Sequence, residues 1–139
     1  MKLFTTFIFI LIYFCSYTQI EGIWKTVDDE TGEKKAVVKI YKKKDGKYYG
    51  KILEILKDLP FDSCDKCEGE LKGKPLIGLE FVQRLEKKGT VWVNGTITEP
   101  KSGKSYDCKA EINNKGQLEI RAYIGIPFIG RTQTWIRMN

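Results

Sequence analysis

The sequence predicts an all-β domain of eight antiparallel strands, and two observations lead to that prediction. From residue 19 onward, apolar side chains recur at every second position rather than at every third or fourth. This alternation is typical of strands that bury one face and expose the other. Turn-forming residues also interrupt the chain at short intervals, which leaves runs of strand length and little room for helices.

The alternation is clearest in the C-terminal third of the chain. Two successive runs there place on one face Tyr106, Cys108, Ala110, Ile112, Leu118, Ile120, Ala122 and Ile124. Most of the residues between them are charged or polar. The run 35–41 repeats the pattern with Ala36, Val38 and Ile40. We therefore expect these runs to be half-buried strands of an antiparallel sheet.

Turn signals divide the rest of the chain. They lie at 28–32, 44–46, 87–89, 99–103 and 113–116, and each contains Gly, for which a positive φ costs little. The strands predicted between them are 20–27, 34–43, 47–56, 76–86, 90–98, 105–112, 117–124 and 130–138. Eight antiparallel strands in hairpin order either close into an up-and-down barrel or stack as a sandwich. The order of the strands alone does not choose between the two.

One connection, residues 57–75, is much longer than a hairpin turn. No run of ten or more residues has a helical period, although a turn of helix fits within this segment. Irregular loops of this length are usually either functional or tied down. Cys64 and Cys67 could supply such a tie.

The first eighteen residues are predicted to be a signal peptide. Lys2 precedes a largely apolar run, 3–14, which is shorter than the roughly 20 residues that a membrane span needs. We place cleavage near Thr18, so that 19–139 forms a single domain exported to the periplasm or beyond. A lipoprotein acylated on Cys15 is the alternative, but bulky residues precede that cysteine where small ones are expected.

Three cysteines remain beyond the signal peptide. Because export leads to an oxidising compartment, we expect a disulfide between Cys64 and Cys67. A redox-active pair, a metal site shared with Asp62 and Asp65, and a free dithiol stay open as alternatives. The residues after the pair are a poor helix start for a redox motif, and two thiols fall short of the four ligands of a usual zinc site. Cys108 lies on the predicted inward face, as a buried free thiol.

The chain contains no histidine. This excludes Ser-His-Asp and Cys-His catalysis and every histidine-ligated metal site. A nucleophile elbow and a glycine-rich phosphate loop are also missing from the sequence. Glu54 and Glu80 lie inside predicted strands, and we expect both to face solvent. We therefore predict a protein that is not an enzyme and that needs neither a cofactor nor a metal.

The formal net charge is +6, and the run 42–44 consists of three lysines. Three lysines at a hairpin turn are usually a solvated tip, and the aromatic residues form no stacking motif for bases. With export as well, nucleic acid is not an expected partner. Weak contact with an anionic surface, such as lipid head groups or cell-wall polymers, is the alternative that this charge leaves open.

The first and last predicted strands carry a pattern that resembles the calycin superfamily, which includes the lipocalins and the fatty-acid-binding proteins. Gly22-Ile23-Trp24 opens the first strand, and the last strand contains Arg131 and Arg137. The resemblance implies that one of these arginines lies against Trp24 where the first and last strands of a barrel meet. Stacking of this kind is worth about 0.5–2 kcal/mol.

Further motifs resemble domain-of-unknown-function family 2147, a family of secreted bacterial proteins. They are Gly22–Trp24, Tyr49–Ile52, Asp62–Cys67, Pro75–Leu79, Glu99–Tyr106 and Gly130–Trp135. This sequence has Glu99 where the family more often has Asp. The resemblance covers about 22–138 and implies an exported, calycin-like β-barrel. It brings no established activity, substrate or catalytic residue.

The apolar inward faces and the resemblance favour non-enzymatic binding of a small apolar or amphipathic ligand inside the barrel. An eight-stranded barrel is just wide enough to be packed by its own side chains or to hold one small ligand. The candidate lining residues are Trp24, Val38, Ile40, Phe81, Tyr106, Ile120 and Phe128. The alternative is an envelope protein–protein or surface interaction module that uses loop 57–75 and the apolar loop 125–130, which could also be a lid.

Overall fold

Eight antiparallel strands run from Gly22 to Arg137, as the alternating residues predict. A computed structural model describes residues 3, 8–12 and 19–138. The strands are β1 (Gly22–Val27), β2 (Lys34–Lys42), β3 (Tyr48–Ile55), β4 (Glu80–Lys88), β5 (Val91–Thr98), β6 (Ser105–Ile112), β7 (Leu118–Tyr123) and β8 (Gly130–Arg137). One turn of 3-10 helix, Gly69–Leu71, lies in the long connection. The predicted cleavage site near Thr18 and the alternative acylation site Cys15 lie outside the described residues.

Seven strands begin and end within two residues of the predicted bounds. The exception is β4, which was expected to begin at residue 76 and begins at Glu80. Gly78 has a φ of 88°, which bends the backbone there, and Leu79 donates its N–H to the carbonyl of Leu76. Residues 76–79 therefore form a turn that buries Leu76 and Leu79 before the strand starts.

The strands pair in chain order, and β8 returns to pair with β1. The sheet is therefore a closed up-and-down barrel rather than a sandwich. Closure matters because a strand edge left unpaired is a template for aggregation. The seam is short: Trp24 lies opposite Arg137, and Lys25 lies opposite Ile136.

The barrel has two unlike ends. The turn end carries the short connections 43–47, 89–90 and 113–117, together with residues 19–21 and Met138. The loop end carries the connections 28–33, 56–79, 99–104 and 124–129.

The turn end is closed around Trp24, which is fully buried. The guanidinium of Arg137 lies 4.1 Å from the centroid of the Trp24 ring, and the indole Nε1 donates a 2.9 Å hydrogen bond to the carbonyl of Ile20. Arg137 also donates to the carbonyls of Gln19 and Glu21. Of the two arginines expected at the closure, Arg137 is therefore the one that stacks on Trp24.

Arg131, the other candidate, has a different role at the loop end. Its guanidinium donates to both carboxylate oxygens of Asp29 and to Glu30. These bonds tie the start of β8 to the β1–β2 loop. Elsewhere in the fold, no helix within the described part of the chain is long and apolar enough to cross a membrane.

We expect Arg137→Ala to lower the free energy of unfolding by about 1–3 kcal/mol, because it removes both the stacking on Trp24 and the bonds to two carbonyls. Urea denaturation followed by tryptophan fluorescence measures the change. Arg131→Ala is the matched control, and its loss should be much smaller because exposed ion pairs contribute little. Equal losses for the two variants would contradict the assignment of Arg137 to barrel closure.

Candidate functional site

The predicted ligand-lining residues divide into three groups. Trp24, Val38, Ile40, Phe81 and Ile120 are buried in the core of the barrel. Tyr106 is half-buried near the loop end of β6. The prediction for Phe128 is wrong, because its side chain is 90% exposed on the β7–β8 loop. Ile124, which was expected to face inward, is also exposed because β7 ends one residue before it.

The interior of the barrel is filled by side chains. Trp24, Trp92 and Trp135 are all buried, and they stand on three different strands. Trp92 packs edge-on against Tyr48, with ring centroids 6.3 Å apart, and Trp135 lies 6.0 Å from Phe81.

Leu85 fills further space above Gly95. A Cβ added at Gly95 would lie 2.6 Å from Leu85 Cδ2, closer than real contacts allow. Two concavities among the described residues, at Lys42–Asp45 and over Thr96, Asp107 and Tyr123, are open to solvent. The interior between the strands is occupied by buried aromatic and aliphatic side chains.

One polar atom in this interior has no partner. Trp92 Nε1 is buried and makes no hydrogen bond within the described residues. Leaving a buried donor unsatisfied costs about 1–3 kcal/mol. A bound water or a ligand acceptor beside Trp92 would remove that cost.

The long connection covers the loop end of the barrel, and we call residues 56–79 the plug. Its side chains Cys64, Cys67, Leu76 and Leu79 are buried in the same cluster as the barrel core. Phe61 and Leu71 pack against that cluster while half-buried. The sequence predicted a long tied loop here, but it did not reveal that the loop continues the core.

The plug is held by its own bonds. A disulfide joins Cys64 to Cys67, which confirms the predicted pair. The Cys64 N–H donates to the carbonyl of Lys74, and the N–H of Gly73 donates to the carbonyl of Cys64. Ser63 and Pro75 form an antiparallel bridge. The cystine therefore fixes a small folded unit rather than a loose strand connection.

The β5–β6 turn presses against the plug at Gly103. A Cβ added there would lie 1.8 Å from the Lys66 carbonyl oxygen, and the φ of Gly103 is 74°. Cys64 Sγ lies 3.8 Å from the carbonyl oxygen of Pro100 in the same turn. The absence of a side chain at Gly103 therefore lets the two backbones come into contact, and this contact holds the plug against the barrel.

The cysteines among the described residues have structural roles. Both cystine sulfurs are buried, whereas redox-active pairs are accessible. Cys108 is buried and free, and burial, with a smaller contribution from Asp107, raises the pKa of its thiol to about 12. Among the residues that the structure describes, no three Cys, Asp or Glu side chains lie close enough together to hold a metal ion.

The β7–β8 loop exposes large apolar side chains, and we call residues 124–129 the apolar rim. Ile124, Ile126, Phe128 and Ile129 are all more than half exposed. Concentration of four large apolar groups in six residues is unusual for a surface turn, where single exposed apolar residues are normal.

One arginine holds the backbone of the apolar rim, and a second anchors the start of β8 beside it. Arg121 donates from Nε to the carbonyl of Pro127 at 2.6 Å, from Nη2 to the carbonyl of Phe128, and from Nη1 to the hydroxyl of Thr132. Arg131, next to the rim, is bound to Asp29, and that carboxylate raises the pKa of its guanidinium. The backbone is therefore fixed while the side chains of the rim point outward, which is why Phe128 cannot line the barrel.

A second polar cluster lies on the outer face of β2, β3 and β4. The Tyr41 hydroxyl donates to Glu80, which also accepts a 2.7 Å bond from Lys43. Burial and the neighbouring carboxylate raise the pKa of Tyr41. Tyr49 donates to Asp45, and this bond, with burial, raises the pKa of Tyr49 to about 12. Glu80 thus lies on the outer face but is partnered and half-buried, whereas Glu54 is exposed.

A sequence profile of domain-of-unknown-function family 2147, described as uncharacterised proteins conserved in bacteria, matches residues 22–137. The chain belongs to this family. The matched region spans the whole barrel, from the glycine that opens β1 to the arginine that stacks on Trp24.

The barrel of this family-2147 protein is similar to a solved structure, protein HP1028 from the human pathogen Helicobacter pylori, which is described as belonging to the lipocalin family. The two chains are 22% identical, and the match covers 87% of this chain and 84% of that chain with a TM-score of 0.75. At this identity the likeness establishes the lipocalin-like fold. A search of curated proteins finds no significant match.

We expect Gly103→Ala to destabilise the protein by about 1–3 kcal/mol more than Gly116→Ala, because only the first places a Cβ against another backbone. The control is closely matched: Gly116 has the same φ of 74°, and no atom lies within 4 Å of its Cβ position. Thermal or urea denaturation of both variants measures the difference. Equal destabilisation would show that the plug is not seated on this turn.

Proposed function

We propose that this protein is an exported, non-enzymatic binding module of the bacterial envelope that holds a protein partner on its apolar rim. The observation that carries the proposal is the exposure of four large apolar side chains on a backbone that Arg121 holds in place. A fixed backbone loses little freedom on binding, so such a loop is preorganised for a partner.

The surroundings of the rim favour one class of partner. The neighbouring β1–β2 loop carries four carboxylates, at Asp28, Asp29, Glu30 and Glu33. Each of these carboxylates is paired with a basic side chain, so the rim is bordered by ion pairs rather than by free negative charge. A protein surface with an apolar centre and a polar border complements both features. The partner we propose is therefore a protein of that description.

The rest of the molecule supports binding on the outside rather than chemistry within. The chain has no histidine, and the free thiol among the described residues, Cys108, is buried with a raised pKa, so neither supports nucleophilic or acid–base chemistry. The interior is occupied by tryptophans and is covered by the plug. The plug itself serves as a structural cover in this proposal, rather than as the interaction loop that the sequence suggested.

A photo-crosslinking residue at position 124 should give one discrete adduct in cells, and Phe128→Ser should reduce it at least tenfold, because a buried Phe contributes about 1.5–3 kcal/mol to an interface. The matched control is Ile77→Ser, an exposed apolar residue of the plug at the same end of the barrel. It should leave the adduct unchanged. Absence of a discrete adduct, or equal loss in both variants, would contradict the proposal.

Binding of a small apolar or amphipathic ligand inside the barrel is the second candidate. It is favoured by the unsatisfied donor of Trp92 and by the lipocalin-like fold. It requires the plug to leave the loop end and the tryptophans to repack, because the ring of Trp135 and the side chain of Leu85 occupy the space a ligand would need. The two candidates therefore differ in whether the interior is filled or hollow.

A further inference from the structure

An open concavity adjoins the apolar rim on the outside of the barrel. It offers about 220 Å³ of space, and we call it the β6 concavity because half of the residues that line it lie on that strand. The lining residues are Thr96, Ser105, Tyr106, Asp107, Tyr123 and Ile124. Ile124 is also the first residue of the rim, so the concavity and the rim form one continuous surface.

The register of three strands places Asp107 in the middle of this surface. It lies opposite Thr96 on β5 and opposite Tyr123 on β7. The next residue, Cys108, is buried, so Asp107 belongs to the outer face of the sheet, where it is exposed. Burial and, to a smaller extent, the charge of Asp107 raise the pKa of the Tyr123 hydroxyl. The carboxylate therefore acts on a tyrosine that lines the same concavity.

The Asp107 carboxylate differs from those of the β1–β2 loop, which are all paired. It forms neither an ion pair nor a side-chain hydrogen bond with any residue that the structure describes. Arg121, two positions before Tyr123, is bound to the backbone of the rim instead. Lys109, the next outward residue of β6, also leaves Asp107 unpaired. This negative charge beside the rim is therefore available to a basic group of a binding partner.

The groups around the concavity suit a guanidinium. An ionised Asp107 only accepts hydrogen bonds, and the hydroxyls of Thr96 and Ser105 are able to accept them as well. The rings of two tyrosines attract a cation through their faces. A guanidinium presents five donors in a planar fork and is weakly hydrated, whereas an ammonium is compact and strongly hydrated. An arginine side chain therefore matches this lining better than a lysine, and an anionic group is opposed by Asp107.

We propose that the β6 concavity receives an arginine side chain of the protein that binds the apolar rim, with its guanidinium paired to Asp107. This inference rests on the function proposed for the rim and specifies the partner further. The partner carries an arginine at the edge of its apolar patch, beside the surface that covers Ile124. Burial of the rim supplies most of the affinity, and the ion pair at its border fixes the orientation of the partner.

Titration with a small probe tests the concavity in the absence of the partner. The probe is N-acetyl-arginine methylamide, and its citrulline analogue is a neutral match of nearly the same shape. We expect the arginine probe, and not the citrulline probe, to shift the amide NMR signals of Thr96, Asp107 and Tyr123. Equal responses to the two probes, or no response to either, would overturn the inference.

Two variants with the same change in charge locate the binding. Asp107→Asn should weaken binding of the arginine probe about threefold, because an exposed ion pair contributes modestly. Glu111→Gln should leave it unchanged. Glu111 is exposed on the same strand and the same face, about 13 Å along β6, and it forms no ion pair with a described residue. Equal losses in the two variants would contradict a site at Asp107.

Crosslinking in cells tests whether the partner uses the concavity. The photo-crosslinking residue is placed at position 126, which lies on the rim and does not line the concavity. Asp107→Asn should reduce the adduct about threefold, Glu111→Gln should not, and the denaturation midpoints of both variants show that each is folded. An adduct that Phe128→Ser reduces and Asp107→Asn leaves unchanged would overturn this inference while the proposal for the rim stands. Absence of any adduct would contradict the proposal for the rim, and this inference with it.

Discussion

An eight-stranded barrel encloses an interior just wide enough for side chains to fill. The stacking of Arg137 on Trp24 closes one end of that interior. Trp24 lies at the seam where the last strand returns to the first, and its indole is bonded to the chain that enters the barrel. The same pair therefore closes the sheet and seals the turn end. Trp92, Trp135 and Leu85 occupy the space above it, and all three are buried.

The plug follows from the same constraint at the other end. A barrel mouth exposes apolar strand residues to water, and the connection between β3 and β4 covers it with Leu76, Leu79 and a buried cystine. Gly103 allows the β5–β6 turn to approach the plug backbone directly. With both ends covered, the binding that we propose falls to a feature that faces outward, the apolar rim whose backbone Arg121 holds.

Much of the fold could be predicted from the sequence because alternation and turn chemistry are local signals. They located seven strands closely, and the pairing of Cys64 with Cys67 was predicted from their spacing and from the expected export. Closure as a barrel needed the resemblance, since strand order is the same in a sandwich. The role of Arg137 rather than Arg131 depended on which arginine lies opposite Trp24 across the seam, and only the register shows that.

The site was harder to predict because its determinants are distant in sequence. From the sequence alone, Phe128 is an apolar residue expected in the interior. Its exposure results from the hydrogen bonds that Arg121 donates to the loop backbone. The sequence of the plug predicts a polar loop, because the residues that it buries are few and are widely spaced among charged ones.

We conclude that the interior of this barrel is filled by its own side chains. A crystal structure determined under xenon pressure tests it most directly, because xenon enters apolar cavities that remain empty of water. We predict no xenon site among Trp24, Trp92 and Trp135. A well-occupied site among these three rings would contradict it, and would favour a ligand inside the barrel over a partner on the rim.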